Sequence, residues 1–513
     1  MTRIISLQIV NYLHILFMEK TIDLKYCAER WGLCSDYIQD LGQRLIDFKE
    51  RYRDCLTNRY HDTSEHALTY LKGLVFLPNK RTYKEIARSI EGPKSDGQNL
   101  QNYMSDSPWS GSGVFDRIQS EIIEDKRLHG GALSLDERGE RCFGTCKAGA
   151  GRQYIGNIGK VDLGQVGVAL GFYTSCLSEP QILDLWTLVD AELFFPESWF
   201  EGEYEKRFKR LHIPADRVFK TKPQIGLDLI DRAIANELPF TRVSCDCLYG
   251  RNHNLRWELE ERNLLYLADI PVNMRLYVEK PVTGIPSKPT GAKGRKPSKW
   301  KVLNGVKPLK AHQIAKRLEA TFQPVDIRPC ERGRLIYECA AQKVWTITSK
   351  GEVRAERLFV RKETDGSRTY SLTNADEQTS LKTLAQWRSE RFFVERTFED
   401  GNGEIGWDEL EAQKYRAWMH HAALTGLALW FMAQTKLDWA LAHPKDDTLA
   451  AELGVDKLPQ ISTANIKRLL QIVMPIKQPS LEEVIDIIVH FLVERAESTA
   501  CRMRKQKRKP API

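Results

Sequence analysis

Three acidic residues, far apart in the chain, have the type and setting to build an oxygen-rich reaction centre: Asp136, Asp246 and Glu395. Asp136 follows the apolar run of "LSLDERG", residues 133–139, which reads as a short strand that ends on an acid and turns at once. Asp246 closes "RVSCD", a second strand candidate followed by a turn and a helix. Glu395 lies in "RFFVERTFED", a helical stretch whose aromatics would face a sheet. Adjacent strands of a mixed sheet can hold two terminal Asp side chains together, and a packed helix can bring a Glu to the same point. Such a set offers only hard oxygen donors, which suit Mg²⁺ or Mn²⁺ and not zinc. Without a metal, three close carboxylates repel and raise one another's pKa. Two divalent ions would relieve that repulsion and could activate a water or a 3′-hydroxyl for in-line phosphoryl displacement. Spacing alone leaves the convergence open, because a strand that merely meets a polar loop also ends on an acid. A glycosidase-like carboxylate pair accounts for neither the third acid nor the basic segments.

The elements that must position these residues are legible in outline. Residues 1–130 read as mostly helical, with Ile38, Leu41, Leu45, Ile46 and Phe48 spaced as one helix face. "RTYKEIARSI" and "QNLQNYMSDSPW", on either side of the breaker "EGPKSDG", are two short helices that could form a helix-turn-helix or a plain helical hairpin. From 131 to 271 strand candidates first meander ("GALSLD", "GQVGVALGFYTS", "QILDLWTLVDAELFFP") and then alternate with helices ("PQIGLDLIDRAIANEL", "PFTRVSCD", "RWELEERN", "LLYLADI"). That order predicts an α/β fold, a mixed sheet flanked by helices. Residues 272–380 hold a Pro-, Gly-, Ser- and Lys-rich loop and then alternating strands with Gly turns, a strand-rich segment with a basic loop. Residues 381–445 return to helix, with a break expected at "EDGNGE", and 446–513 form a helical end with six basic residues between 502 and 509.

Composition adds bounds. Across 513 residues, 42% are hydrophobic and 28% charged, as in ordinary soluble globular proteins. The net charge of +8 permits a nucleic-acid partner without requiring one. Eleven scattered cysteines lack zinc-site spacing and predict free thiols. The apolar run "IISLQIVNYLHILF" carries Gln, Asn and His and is too short and too interrupted for a membrane span, so no membrane partner and a cytoplasmic location are expected. His420 and His421 have no partner ligand in sequence and read as packing residues, as do Trp387 and Trp418.

The chain also resembles the bacterial insertion-sequence DDE transposases, specifically the insertion sequence 701 group. That group carries a strand ending in Asp-Asp-Thr-Gly and then a motif close to Val-Ala-Arg-Gln-Tyr-x-Gly-x-x-Gly-Lys-x-x-x-x-Gln-Val-Gly-Val. Here "DERG" stands at 136–139 and "GRQYIGNIGKVDLGQVGVAL" at 151–170, with Arg152, Gln153, Tyr154, Gly156, Gly159, Lys160 and Gln165 matching. "SCDCLYGRN" matches the second acidic motif through Asp246, Tyr249 and Gly250. A helical Arg-x-x-x-Glu-x-x-Phe matches at Arg391, Glu395 and Phe398, continuing through Glu404, Gly406, Asp408 and Glu411, with Trp418 and His421 matching a later helix. The chain departs from the pattern at Arg138, where the group has Thr, at Cys142 and Phe143, where it has lysines, and at Asn402, where it has Lys.

The resemblance covers roughly residues 60–440 and implies a ribonuclease-H-like fold with a helical N-terminal DNA-binding region, a strand-rich insertion at 272–380, and an Asp-Asp-Glu triad of Asp136, Asp246 and Glu395 that serves as both catalytic and metal residues. It implies two Mg²⁺ ions, for which Mn²⁺ could substitute. The partners implied are double-stranded DNA, as transposon ends and target, and a second copy of the chain on that DNA, in a bacterial, nucleoid-associated setting. Candidate DNA contacts are Arg152, Lys160, Arg391 and Asn402, with Lys293, Arg295 and Lys296 in the basic loop. A non-catalytic transposase-derived DNA-binding protein, and a nuclease without strand transfer, are the competing functions.

Overall fold

Helices open the described part of the fold, the longer ones being α1 (Ser35–Glu50), α2 (Ser64–Phe76), α3 (Tyr83–Ile90), α4 (Gln98–Ser105) and α5 (Gly111–Glu124). In α1, Leu41, Leu45 and Phe48 recur at helical spacing and are buried. The Thr82 and Ser110 hydroxyls cap α3 and α5 by accepting the backbone N–H of Glu85 and Gly113. The turn into α4 passes through Gly97 at φ +75°, where a Cβ would lie 2.7 Å from the backbone of Tyr83. This is a computed structural model, and it describes residues 24–57, 61–176, 183–287, 295, 297–330, 333–475 and 480–507. The apolar N-terminal run, Lys293, Lys296 and the last residues of the basic tail lie outside the described residues.

The chain then enters the sheet through β1 (Gly131–Arg141), β2 (Gly151–Ile155), β3 (Lys160–Cys176) and β4 (Leu183–Phe194). Helix α6 (Lys222–Ala235), opened by a Thr221–Gln224 capping box, leads to β5 (Phe240–Cys245), α7 (Cys247–Gly250), α8 (His253–Glu261) and β6 (Leu265–Asp269). Four further strands follow, β7 (Gln323–Cys330), β8 (Gly333–Ile347), β9 (Val353–Lys362) and β10 (Arg368–Thr373). All ten strands form one mixed sheet in the order β7-β8-β9-β10-β6-β5-β1-β3-β2, with β4 beside β2 on the outer edge of β3. Strands β1, β5 and β6 are mutually parallel, and the other pairings are antiparallel. The chain ends in α9 (Leu381–Glu390), α10 (Phe392–Glu399), α11 (Tyr415–Ala442), the helix Thr463–Val473, and α12 (Leu481–Lys507).

Helix α11 is buried along most of its 28 residues and packs on β4, α4 and α5. One hydrophobic core therefore runs from Leu41 and Phe48 through Leu170 and Leu188 to Trp430, Phe431 and Leu470, so the N-terminal helices share it with the sheet. The strand-rich segment also belongs to that sheet, because β10 pairs with β6 from Ser371↔Asp269 to Thr373↔Leu267. A fully buried ion pair fastens the join: Arg256 of α8 meets Glu356 of β9 at 2.7 Å, and Glu356 also accepts from Tyr266 and Thr346.

Three local expectations need correction. β1 does not turn after Asp136 but continues to Arg141, because its long antiparallel partner β3 carries it on to Arg141↔Gly164. The helix expected through 381–399 is jointed at Arg391, between α9 and α10. "DGNGEI" does not break the chain but forms a π-helical turn, Asp400–Ile405, ended by Gly406 at φ +77°. The strand β7 holds Pro324 and Pro329, which its edge position tolerates. All eleven cysteines are free thiols, and among the described residues no helix is long and apolar enough to cross a membrane.

Candidate active site

The site forms where the parallel pairing of β1 with β5 stops. Their register runs through Ser134↔Ser244, whose hydroxyls hydrogen-bond, to Leu135↔Cys245. The next residues are Asp136 and Asp246, so the two carboxylates stand abreast at the point where β5 leaves the sheet. Asp246 caps α7, its Oδ1 accepting from the backbone N–H of Leu248 at 2.9 Å and of Tyr249 at 3.3 Å. Gly250 lets that short helix lie against β6, where a Cβ would meet the Asp269 carbonyl oxygen at 1.9 Å. Strand alternation sends the two adjacent acids of "DERG" to opposite faces. Asp136 faces α10, whereas Glu137 pairs with Lys222 of α6.

A third acid, Asp269 at the end of β6, joins this edge. Its Oδ1 accepts from Ser371 Oγ at 2.7 Å, and its Oδ2 lies 3.0 Å from Arg388 and 3.3 Å from Arg391. Sequence reasoning passed over Asp269, although "LLYLAD" is a further strand ending on an acid and could have given it away. Arg391, at the α9–α10 joint, holds the cluster together: it reaches Asp136 at 3.4 Å, Asp269 at 3.3 Å and Glu395, one turn along, at 2.7 Å. Asp136 and Asp246 thus follow paired strand residues side by side, whereas Glu395, half-exposed, is linked to Asp136 through the guanidinium. Among the described residues no three His, Cys, Asp or Glu side chains are already drawn close enough to hold a metal.

The electrostatics follow from this packing. Burial, reinforced by the Asp246 charge, pushes the Asp136 carboxyl up to about 7, and burial also raises Asp246. Burial opposes the charge on Arg391, but Asp269, Asp136 and Glu395 outweigh it and hold its pKa up. Burial and mutual repulsion thus make the paired aspartates costly to ionise unaided, and their donors are all oxygen. That combination fits a hard divalent cation.

The candidate DNA contacts fall into distinct settings. Arg152 and Lys160 are exposed on the β2–β3 hairpin, with Tyr154 also exposed and Phe143 projecting from the loop after β1. Lys160 pairs with Asp162 at 3.4 Å. Arg295 is exposed. Arg391 is engaged with the acids, as described above. Asn402 is turned inward: its Oδ1 accepts from Arg138 Nε at 2.8 Å, and Arg138 stacks on Trp407 and pairs with Glu140. The two ring nitrogens of His420 lie 2.9 Å from the Met104 and Trp109 carbonyl oxygens, which accept from its N–H, and His421 contacts Tyr70 and the Trp407 carbonyl. Both imidazoles are buried, which pushes them down to about 3. Trp418 is buried against Gly167 of β3.

Comparison with known proteins points the same way. A family model described as "DDE superfamily endonuclease" matches residues 51–334, more than half of the chain, a span that includes Asp136 and Asp246 and stops short of Glu395. The chain is similar to a protein of Microchaete diplosiphon named "Probable transposase for insertion sequence element IS701", with 26% identity over 237 residues. That match covers 46% of this chain and 56% of the relative.

Proposed function

Because the chain belongs to the DDE superfamily endonuclease family, we propose that it is a DNA transposase of ribonuclease-H-like fold whose catalytic carboxylates are Asp136, Asp246 and Glu395. The observation that carries this reading is the pair Asp136 and Asp246, set abreast at the end of parallel β1 and β5, with Asp136 pushed up to about 7. The strand order β4-β3-β1-β5-β6, antiparallel then parallel, supports the fold assignment.

Asp136, Asp246 and Glu395 are the residues that would hold two Mg²⁺ ions, with Mn²⁺ as a substitute, and a metal so bound supplies an activated water or 3′-hydroxyl and a clamp on the leaving oxygen. The chain's own part is positional. The α7 backbone amides fix the Asp246 carboxylate, and the rigid pairing of β1 with β3 fixes Asp136. Glu395 would complete the set by turning from Arg391, and Arg391, held by Asp136 and Asp269, would remain as a positive charge beside the acids.

DNA contact rests on two surfaces. The β2–β3 hairpin presents Arg152, Tyr154 and Lys160, mixing cations with an aromatic face. It lies nine residues along β3 from Ala169, the partner of Asp136, or roughly 30 Å at strand rise. That span is close to one helical turn of duplex, which supports a contact away from the cut site. Helix α4 exposes Gln98, Asn99, Gln101 and Asn102, and amide side chains can pair bidentately with adenine edges in a major groove. This favours α3 and α4 as a helix-turn-helix that reads terminal inverted repeats.

The test is a set of three variants, Asp136→Asn, Asp246→Asn and Glu395→Gln, assayed for cleavage of transposon ends, joining to target DNA, and end binding. Each is expected to abolish cleavage and joining while binding persists, since affinity rests on cation–phosphate contacts. Full cleavage by any of the three removes that residue from the site. Cleavage without joining by the unaltered protein would make it a nuclease and not a transposase.

A further inference from the structure

Helix α10, which carries Glu395, does not simply end but runs into the π-turn Asp400–Ile405. Such turns are rare, and Gly401 and Gly403 within this one are poor helix formers, so its own sequence does little to hold it. Contacts from outside hold it instead. The Asp400 carboxylate accepts from Thr463 Oγ1 at 2.8 Å and from Trp186 Nε1 at 3.1 Å. The Glu404 carbonyl accepts from Lys467 Nζ at 2.7 Å and from Arg81 at 2.9 Å. Two cations on a carbonyl at the C-terminal end of a helix also meet the negative end of its dipole.

Arg81 reaches the turn from the helix pair α3–α4, for it stands just before Thr82, the cap of α3. Its side chain is 1% exposed, and each nitrogen has an acceptor. Nε gives to the Leu74 carbonyl at 3.0 Å, one terminal nitrogen to Glu409 and the other to the Glu404 carbonyl. Its backbone N–H also goes to Glu409, at 2.6 Å. Gly406, which closes the π-turn at φ +77°, lies flat against it, since a Cβ there would come 2.4 Å from the guanidinium. None of these partners is a site acid, so Arg81 acts on the site only through the turn.

We propose that Arg81 is a positioning residue for Glu395: by locking the π-turn it fixes the angle at which α10 presents that carboxylate. The start of α10 is seated by Phe393, whose ring stacks on Tyr173 of β3 with centroids 4.2 Å apart, and its end is seated by the turn. Relaxing the π-turn to an ordinary α-turn shifts the register by one residue, roughly 100° of helix rotation, which pulls against the seat at Phe393 and carries Glu395 off the edge where Asp136 and Asp246 stand. The proposal rests on the reading of Glu395 as the third catalytic carboxylate.

The test compares Arg81→Met, Arg81→Lys and Gly406→Ala, which presses on the guanidinium from the other side, in the full chain with transposon-end DNA and Mg²⁺. Arg81→Met is expected to slow single-turnover cleavage at saturating DNA by about a hundredfold. Arg81→Lys, which keeps the charge without the planar fork, is expected to recover part of that rate. Affinity for the ends is expected to stay within about threefold of the parent, because it rests on phosphate contacts elsewhere. Amide hydrogen exchange of residues 396–405 is expected to quicken by about tenfold in Arg81→Met and Gly406→Ala, while α5 and α11 keep the parent rates. Exchange that quickens throughout the chain, or cleavage lost only in proportion to end binding, makes Arg81 a general stability or binding residue and overturns the proposal. Should Arg81→Met fail to fold, the other two variants carry the same comparison. Normal cleavage by Glu395→Gln sinks the carboxylate reading and this proposal with it, whereas an inactive Glu395→Gln beside a fully active Arg81→Met sinks the proposal alone.

Discussion

The contact between Arg138 and Asn402 gives the sharpest test of how the site's surroundings are built. These are two of the positions at which the chain departs from the insertion sequence 701 pattern of Thr and Lys, and they touch: Arg138 Nε donates to Asn402 Oδ1 at 2.8 Å. Arg138 is only 7% exposed, lying over the Trp407 ring with Glu140 as its counter-ion. Taken alone, the sequence suggests that Asn402→Lys would add a useful phosphate contact. The structure reverses that expectation. The substitution removes a hydrogen bond to a charged donor, worth about 1.5–3 kcal/mol. It also sets an ammonium roughly 4 Å from a guanidinium, a repulsion of about 4 kcal/mol at an effective dielectric constant near 20. Glu140 offsets part of this, so Asn402→Lys is expected to destabilise the protein by about 3 kcal/mol or more. Arg138→Thr removes the repelling cation, so the double variant should recover most of that loss. Chemical denaturation of the four proteins of the cycle measures it. A coupling energy of about 3 kcal/mol, favouring the double variant, is expected. If the two changes add within about 0.5 kcal/mol, the pair does not share one positive charge and the reasoning fails.

Asp190 on β4 is fully buried, its Oδ2 lacks a hydrogen bond, and Arg232 meets it only at 3.3 Å, so burial pushes it from 3.8 to about 7. The native state therefore binds this proton more tightly than the unfolded one, and the resulting stability is present below pH 4 and lost as pH rises through 7. Asp190→Asn should gain on the parent over that window by up to about 4 kcal/mol, and urea unfolding at pH 5 and 8 that shows no pH-dependent gain would refute it. Glu356→Ala strands the buried Arg256 charge and should cost about 3–5 kcal/mol, whereas Arg256→Met with Glu356→Leu should cost far less; equal losses would mean the ion pair is not what fastens β9 to α8. Replacing Gln98, Asn99, Gln101 and Asn102 of α4 with Ala should erase discrimination between terminal-repeat and random DNA while weak, salt-sensitive binding remains, and unchanged discrimination would take α4 out of base reading. Asp269→Asn should loosen Arg391 and reduce cleavage without changing which DNA is bound; full activity would make Asp269 only a sheet-edge residue.

What the sequence disclosed depended on whether the cause was local. Asp136 and Asp246 could be picked out because each follows an apolar run, and five of the six strands of 131–270, all but β2, could be read because their alternation is local too. The fate of Arg391 could not, since a guanidinium facing solvent and one enclosed by three acids look identical in sequence. What decides between them is that β6 brings Asp269 alongside, more than a hundred residues away. Asn402 misled for the same reason: glycines on either side argued for a break, yet the partner that holds it, Arg138, sits on a strand 264 positions earlier. The attachment of residues 323–373 to the core sheet was hidden in the same way, since only the pairing of β10 with β6 creates it. The continuation of β1 past Asp136 ties these cases together. On one side β1 loses its parallel partner after Leu135↔Cys245, and on the other it keeps β3 as far as Gly164. Had the strand turned where the sequence suggested, Asp136 would sit on a loop and its position would vary. Anchored on one edge and released on the other, Asp136 stands at a fixed point of the sheet, with its side chain turned to Arg391 at the start of α10.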